Sequence, residues 1–269
     1  MPTHDDLGLR MKNFYETVPK TKLIRRMPVA IRLDGKAFHT FTRGFQKPFD
    51  EVLGKAMRET MKYLCENIQG CVLGYTQSDE ITLILIDYQT LDTCAWYDYE
   101  VQKMCSVSAS MATMAFNKAF KKFIDEEILE YKCSLVPQCV ETQLEIAEYH
   151  NTLQKALNKG AMFDSRVFNI PKEEVCNLIY WRQLDATRNS IQMVGQANFS
   201  HNELQNKSCN DIQDMLFTQR DINWNNYPAY LKRGSCCIKK DEGWVIDKEI
   251  PVFKNESRKY INNLILYKE

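Results

Sequence analysis

Asp79 and Glu80 stand side by side in the segment TQSDE, between an apolar run that ends at Tyr75 and another that starts at Ile81. A third acid, Asp34, closes the apolar run VAIRL (Val29 to Leu33) and is followed at once by Gly35. Carboxylates brought together at the ends of buried runs repel one another unless a cation neutralises them, and hard divalent ions with oxygen ligands are the usual partner. The three acids are therefore candidate magnesium ligands. Gly35 suits that chemistry, because a glycine permits a tight turn that aims a carbonyl at a metal or N–H groups at phosphate. Taken singly, an Asp-Gly pair is ordinary turn chemistry and a pair of acids is an ordinary solvated surface. What singles these residues out is that both features close apolar runs. Lys36, His39 and Lys47 follow closely enough in sequence to meet a triphosphate.

The elements that would position these groups alternate. VAIRL predicts a short strand, with Pro28 tolerated just before it. Asp50 predicts a helix N-cap, after which Val52, Leu53, Ala56, Met57, Met61, Leu64, Cys65 and Ile68 share one helical face until Gly70 stops it. Cys71 to Tyr75 and Ile81 to Ile86 predict a hairpin. A long helix is expected from about Tyr97 to about Glu130, striped by Met104, Val107, Ser108, Met111, Ala115 and Ala119. Residues 139 to 159 predict a polar, acidic helix read as an insertion, and SRVFNIP predicts a strand. The stretch from Lys172 predicts a further helix, with Glu173 and Glu174 favouring its N-terminal dipole. From Asn210 onward the elements are shorter and end in a strand pair around CCIKK and GWVI. The order strand, helix, hairpin, helix, strand predicts the α+β class, a split βαβ sheet with helices packed on one side. In such a sheet the end of the first strand meets the hairpin tip, so Asp34 faces Asp79 and Glu80.

Composition sets outer bounds. The chain has 269 residues, 26% charged and 44% hydrophobic, with a formal net charge of zero. That is a globular composition, and no apolar run approaches the roughly 18 residues of a membrane span. The opening MPTHDDLGLR lacks the features of a secretory or transit peptide, so a cytoplasmic protein without membrane attachment is expected. Ten cysteines with no CxxC pair point to packing residues rather than zinc or redox chemistry. Charge is segregated: residues 1–50 carry ten Lys/Arg against five Asp/Glu, and residues 123–150 one Lys against seven acids. A basic surface for a polyanion and ordinary solvated helix faces both fit that pattern. No Ser-His-Asp or Cys-His nucleophile signature is apparent.

RLDGKAFHTF, QKPFD, GYTQSDE and YWRQLDATRNS resemble, in order, the motifs of the tRNA-histidine guanylyltransferase family, and more closely its bacterial-type branch of 3′-to-5′ polymerases. The resemblance runs from about Pro28 to about Tyr230. It implies a polymerase-palm-like antiparallel sheet with two Mg2+ ions held by Asp34, Asp79 and the Gly35 carbonyl, and Glu80 among the catalytic acids. It further implies a nucleotide site made by Asp34, Gly35, Lys36, Ala37, Phe38, His39, Lys47, Ser78 and Asp79, and a role for Lys103 in 5′-end activation. Arg188 and Asn189 are implied as phosphate or RNA contacts. The implied substrates are ATP, GTP and tRNA, and the implied assembly is a homotetramer. On this basis residues 1–269 form one catalytic unit: 28–135 and 161–185 the palm-like core, 136–160 a helical insertion, 186–269 a C-terminal region.

One departure bears on substrate. Eukaryotic members carry a His-Ile-Asn-Asn type motif after the Trp-Arg-Gln helix, where this chain reads DATRNSIQM. The expectation is therefore templated 3′-to-5′ addition that repairs 5′-truncated tRNAs, with single-guanosine addition to tRNA-histidine as the alternative. An RNA-binding, chaperone-like protein is the non-enzymatic alternative, and a palm-type nucleotide cyclase would use a similar carboxylate set.

Overall fold

The second strand of the expected hairpin, EITLIL, is buried along its whole length, which requires cover on both faces of its sheet. In the computed structural model, which describes residues 6–133 and 140–266, that cover is present. The elements in chain order are α1 (Asp6–Met11), β1 (Val29–Gly35), α2 (Phe38–Phe41), α3 (Glu51–Asn67), β2 (Cys71–Gln77), β3 (Glu80–Leu85), α4 (Val101–Cys133) and α5 (Val140–Lys159). There follow β4 (Phe163–Asn169), α6 (Lys172–Asn198), α7 (His201–Leu204), α8 (Cys209–Arg220), α9 (Ala229–Arg233), β5 (Ser235–Lys240), β6 (Gly243–Asp247) and α10 (Lys259–Asn262). The six strands form one antiparallel sheet in the order β4-β1-β3-β2-β5-β6. β1 and β2, joined through α3, run in the same direction with β3 between them, so the α+β class and the split order hold.

Helices pack on both faces rather than on one. Val29, Ile31 and Leu33 of β1 and Ile81, Leu83 and Leu85 of β3 join one core with Met57 and Met61 of α3 and Phe116 and Phe120 of α4. The alternate residues Ala30 and Ile84 join a second core with Val175 and Ile179 of α6 and with Phe253, Ile261 and Ile265 near the C-terminus. Both phases of these strands are apolar, so one layer of helices leaves half of each strand uncovered. The expected strand pair, β5 and β6, extends the sheet beyond β2, and the chain runs on past it into short helical turns that close the second core.

Several boundaries shift for physical reasons. α4 starts at Val101, not Tyr97, because Tyr97, Asp98 and Tyr99 take left-handed backbone angles while Trp96 and Tyr99 are buried. Its Met104, Ser108, Ala115 and Ala119 are core residues. α3 begins as expected, with Asp50 accepting from the Leu53 N–H at 2.9 Å, but ends at Asn67; Gly70 instead serves the turn into β2 at φ +80. The first residues of the expected insertion, 136–139, lie outside the described residues. The rest, α5, packs Leu153 and Ala156 into the first core. Cys236 and Cys237 fall on opposite faces of the sheet, one in each core, as packing residues do.

Candidate active site

The pairing of β1 with β3 sets Asp34 directly opposite Glu80. Gln77 pairs with Glu80 across the hairpin, leaving Ser78 and Asp79 as its tip, with Ser78 in a left-handed conformation at φ 49. The Gly35 N–H donates to the Asp79 carbonyl at 3.1 Å and pins that tip to the end of β1. Two local features, a strand end and a two-residue turn, thus bring Asp34, Asp79 and Glu80 together as the sequence suggests.

The three carboxylates are not equivalent. Glu80 is buried, and both of its oxygens are taken: the Arg182 Nε donates to one at 2.7 Å and an Arg32 Nη to the other at 2.9 Å. Arg182 also reaches Asp185 at 2.9 Å. Glu80 is therefore the counter-ion that anchors α6 over the sheet, not a free acid beside Asp34 and Asp79. Neither Asp34 nor Asp79 forms an ion pair among the described residues; the Asp79 carboxylate accepts from the Ser78 hydroxyl at 3.0 Å and from its own backbone N–H. Burial, then the charges of Glu80 and Asp164, holds the Asp34 carboxyl above the ordinary range. Burial, with Asp34 and Glu80 adding to it, raises Asp79 against the Ser78 hydrogen bond. Asp164, opposite Asp34 on β4, is a neighbour that sequence reading missed.

This donor set fits a hard divalent cation that brings most of its own ligands. Two carboxylates disfavoured in their charged form by burial and mutual repulsion gain most from an added positive charge. Among the described residues no group of three His, Cys, Asp or Glu side chains is arranged to hold a metal by itself. Magnesium bound through one or two carboxylates with phosphate oxygens and water matches such a site.

A cleft of about 540 Å³ opens beside the acids. Of the expected nucleotide residues, Asp34, Gly35, Ala37, Phe38, His39, Lys47, Ser78 and Asp79 line it; Lys36 does not, and its backbone N–H donates to the Met162 carbonyl. Phe38 is mainly a core residue, its ring 5.0 to 5.6 Å from those of Phe41, Phe116 and Phe163. That packing explains Gly35, where a Cβ would sit 2.2 Å from the Phe38 ring; the glycine makes room for a ring and does not need a positive φ. The left-handed residue of this turn is Ala37, at φ 54.

Other walls come from residues the sequence did not single out. Met193 and Gln196 of α6 face the cleft, as does Asp50, which accepts from the Gln46 N–H at 3.1 Å and from the Tyr149 hydroxyl of α5 at 2.9 Å. A smaller cavity of about 110 Å³ shares Asp50, Leu53, Ser78 and Met193 with the cleft, and Asn189 lines it. Arg188 is exposed and paired with Asp185. Lys103 is not brought to the acids within one chain. It lies near the start of α4 against the Tyr97 ring, whereas Thr113, ten residues on, is the part of α4 level with Phe163, the partner of Gly35. Part of the N-terminal basic excess is spent internally, since Arg25 and Arg26 bind Asp87 and Lys22 binds Asp98.

Residues 9–171 match the sequence model of one family, tRNAHis guanylyltransferase (Thg1). The fold is similar to that of a bacterial tRNA(His) guanylyltransferase (Thg1)-like protein in complex with ATP, with a TM-score of 0.80 and 39% identity over 97% of this chain and 100% of that one. A bacterial Thg1-like protein in complex with GTP aligns with a TM-score of 0.74 and 37% identity, over 97% and 99% of the two chains. The tRNA(His) guanylyltransferase of Saccharomyces cerevisiae is 26% identical over 228 residues, 80% of this chain and 83% of the yeast protein.

Proposed function

The chain belongs to the tRNAHis guanylyltransferase family and is a nucleotidyltransferase, and we propose that it adds nucleotides in the 3′-to-5′ direction, under a template, to the 5′ ends of truncated tRNAs. The observation that carries the chemistry is the pair Asp34 and Asp79, unpaired at the mouth of a cleft large enough for a nucleotide. Asp34, Asp79 and the Gly35 carbonyl would hold Mg2+, which when bound lowers the pKa of an attacking hydroxyl and neutralises charge on the leaving phosphates. Lys47 and His39 lie on the cleft wall where they meet the triphosphate, and Ser78 orients Asp79. Arg32 and Arg182 keep Glu80 from adding a third uncompensated charge.

In the reaction proposed, a 5′-monophosphate oxygen attacks the α-phosphorus of ATP and expels pyrophosphate, giving an adenylylated RNA end. The 3′-hydroxyl of the incoming nucleotide then attacks the RNA phosphorus, forms the new phosphodiester, loses its proton and expels AMP. A 5′-triphosphate end would react directly and expel pyrophosphate. ATP and GTP as ligands are supported by the complexes of the two bacterial relatives. No side-chain nucleophile is required.

Repair is favoured over single-guanosine addition by the segment after Arg182. Thr187 spends its hydroxyl on the Gln183 carbonyl at 2.9 Å, and Arg188 is an exposed cation beside Asp185, better suited to phosphate than to one base identity. The same reading includes a homotetramer that holds the body of the tRNA. The test compares catalytic efficiency on several tRNAs lacking their first nucleotide with that on full-length tRNA-histidine, all four nucleotides being supplied with magnesium. Extension of the truncated tRNAs by the Watson-Crick nucleotide is expected. A strong preference for tRNA-histidine, with guanosine added opposite adenosine, would reverse the ranking.

A further inference from the structure

Beside the nucleotide cleft lies a second groove, of about 520 Å³, to which the reaction described so far gives no part. Lys47 and Gln196 line both, so the two adjoin along one wall. Their electrostatics differ. The cleft holds Asp34, Asp50 and Asp79, whereas no acid lines the groove; its polar side chains are Lys47, His201, Lys207 and the amides of Gln192, Gln196 and Gln205. Two acids of the same stretch are spent on helix caps, Glu203 accepting the Ser200 N–H and Asp211 the Ser208 N–H, each at 2.8 Å. Buried Phe199 and Ile212 close the groove from below, with the guanidinium carbon of Arg220 lying 4.8 Å from the Phe199 ring centroid. The far wall is tied by the Lys207 N–H, which donates to the Leu204 carbonyl at 3.2 Å.

We propose that this groove seats the sugar-phosphate backbone of the paired acceptor stem, taking the first phosphodiesters behind the reacting 5′ end. Cations and amide donors without a carboxylate select a polyanion, and lysine and glutamine side chains are ordinary donors to phosphate oxygens. A triphosphate is bound together with its magnesium, for which the cleft has acids and the groove has none; singly charged phosphodiesters need no such ion. The groove also lacks an open ring on which a base could stack, because Phe199 is buried. Recognition therefore falls on the backbone. Phosphates and 2′-hydroxyls lie on the outside of an RNA duplex, where pairing with the template leaves them accessible. A strand held in this way stays paired, as templated addition requires, and its end reaches Asp34 and Asp79 past Lys47 and Gln196. The proposal rests on the reading that an RNA 5′ end reacts at those two acids.

The test uses the full chain with a 5′-monophosphorylated tRNA lacking its first nucleotide. RNA affinity is measured by fluorescence anisotropy at salt concentrations from about 50 to 200 mM, and KM for GTP is measured separately. Lys207→Ala is expected to weaken RNA binding on the order of 3- to 10-fold and to flatten the plot of log affinity against log salt by about one unit, while KM for GTP stays within about twofold. Lys207→Arg is expected to keep the parental slope, because it keeps the charge. Acceptor-stem hairpins with their first base pairs exchanged should lose the same factor, since backbone contacts carry no base identity. Parental affinity and slope in Lys207→Ala overturn the proposal. So does a raised KM for GTP with unchanged RNA affinity, which marks a second nucleotide's phosphate site, or a loss that changes with the base pairs, which marks base reading, or a lowered oligomeric mass, which marks a subunit contact. A parent that binds RNA through Lys207 yet extends no RNA would sink the polymerase reading and leave the groove standing.

Discussion

Asp34 and Glu80 face each other across paired strands, yet removing their charges should have opposite consequences. Asp34 and Asp79 are half-buried acids without an ion-pair partner among the described residues, so Asp34→Asn or Asp79→Asn relieves repulsion and removes a metal ligand. Nucleotide addition should fall about 100-fold or more, while the thermal midpoint without magnesium stays level or rises. Glu80 neutralises two guanidinium groups whose side chains are 9% and 18% exposed. Glu80→Gln takes from Arg32 its carboxylate and leaves Arg182 with Asp185 alone, and should cost about 3 kcal/mol, read as a lower urea midpoint. Equal melting curves for the Asp34 and Glu80 variants would contradict this division of roles. Gly35→Ala forces the Phe38 ring aside and should cost about 1 to 3 kcal/mol. Asp34 and Asp79 were legible in the sequence because each closes an apolar run. The part played by Glu80 was not, because Arg182 is 102 residues away and nothing in a linear pattern says where a guanidinium will land.

At the level of elements, Asp50 ties three segments at one cleft wall: it caps α3, receives the Gln46 N–H in the loop that carries Lys47, and accepts the Tyr149 hydroxyl of α5. Asp50→Ala should cost about 2 kcal/mol, the cap together with a charge-assisted bond, and should raise KM for nucleotide by loosening the Lys47 loop. Tyr149→Phe, which removes one bond and leaves the cap, should cost about half as much; if it cost more, α5 would be bracing the wall through its packing. Strand and helix positions were readable from periodicity and from the Asp50 cap. The two-sided cover was less so: alternating apolar residues in both phases of β1 and β3 carry the information, but only α6 and the C-terminal turns reveal what fills the second face. The early start given to α4 failed because the aromatic side chains of Trp96 and Tyr99 bury themselves through left-handed turns that no helical period anticipates.

For the molecule as a whole, Met104, Ala115 and Ala119 of the α4 stripe are core and leave nothing of themselves for subunit contacts. Among the large exposed apolar side chains are Phe14, at 68%, and Val18, at 71% exposure, both in the N-terminal segment. A homotetramer is expected to use them. Light scattering at micromolar concentration should give a mass above that of one chain, and Phe14→Ser with Val18→Ser should lower it; a fully active monomer would defeat the expectation. Among the described residues no helix is long and apolar enough to cross a membrane. The anchor between Glu80 and Arg182 also governs the order in which the protein is made. A nascent chain that has emerged only as far as Pro171 holds Asp34, Asp79, Glu80 and Asp164 at one end of a sheet with Arg32 and Arg166 to answer them, and one face of that sheet is still bare. Folding cannot finish from the N-terminus alone. The acids reach their final geometry when α6 is delivered, so a ribosome pause before residue 172 should leave a protease-sensitive chain, and release of the next 27 residues, Lys172–Asn198, should begin its protection.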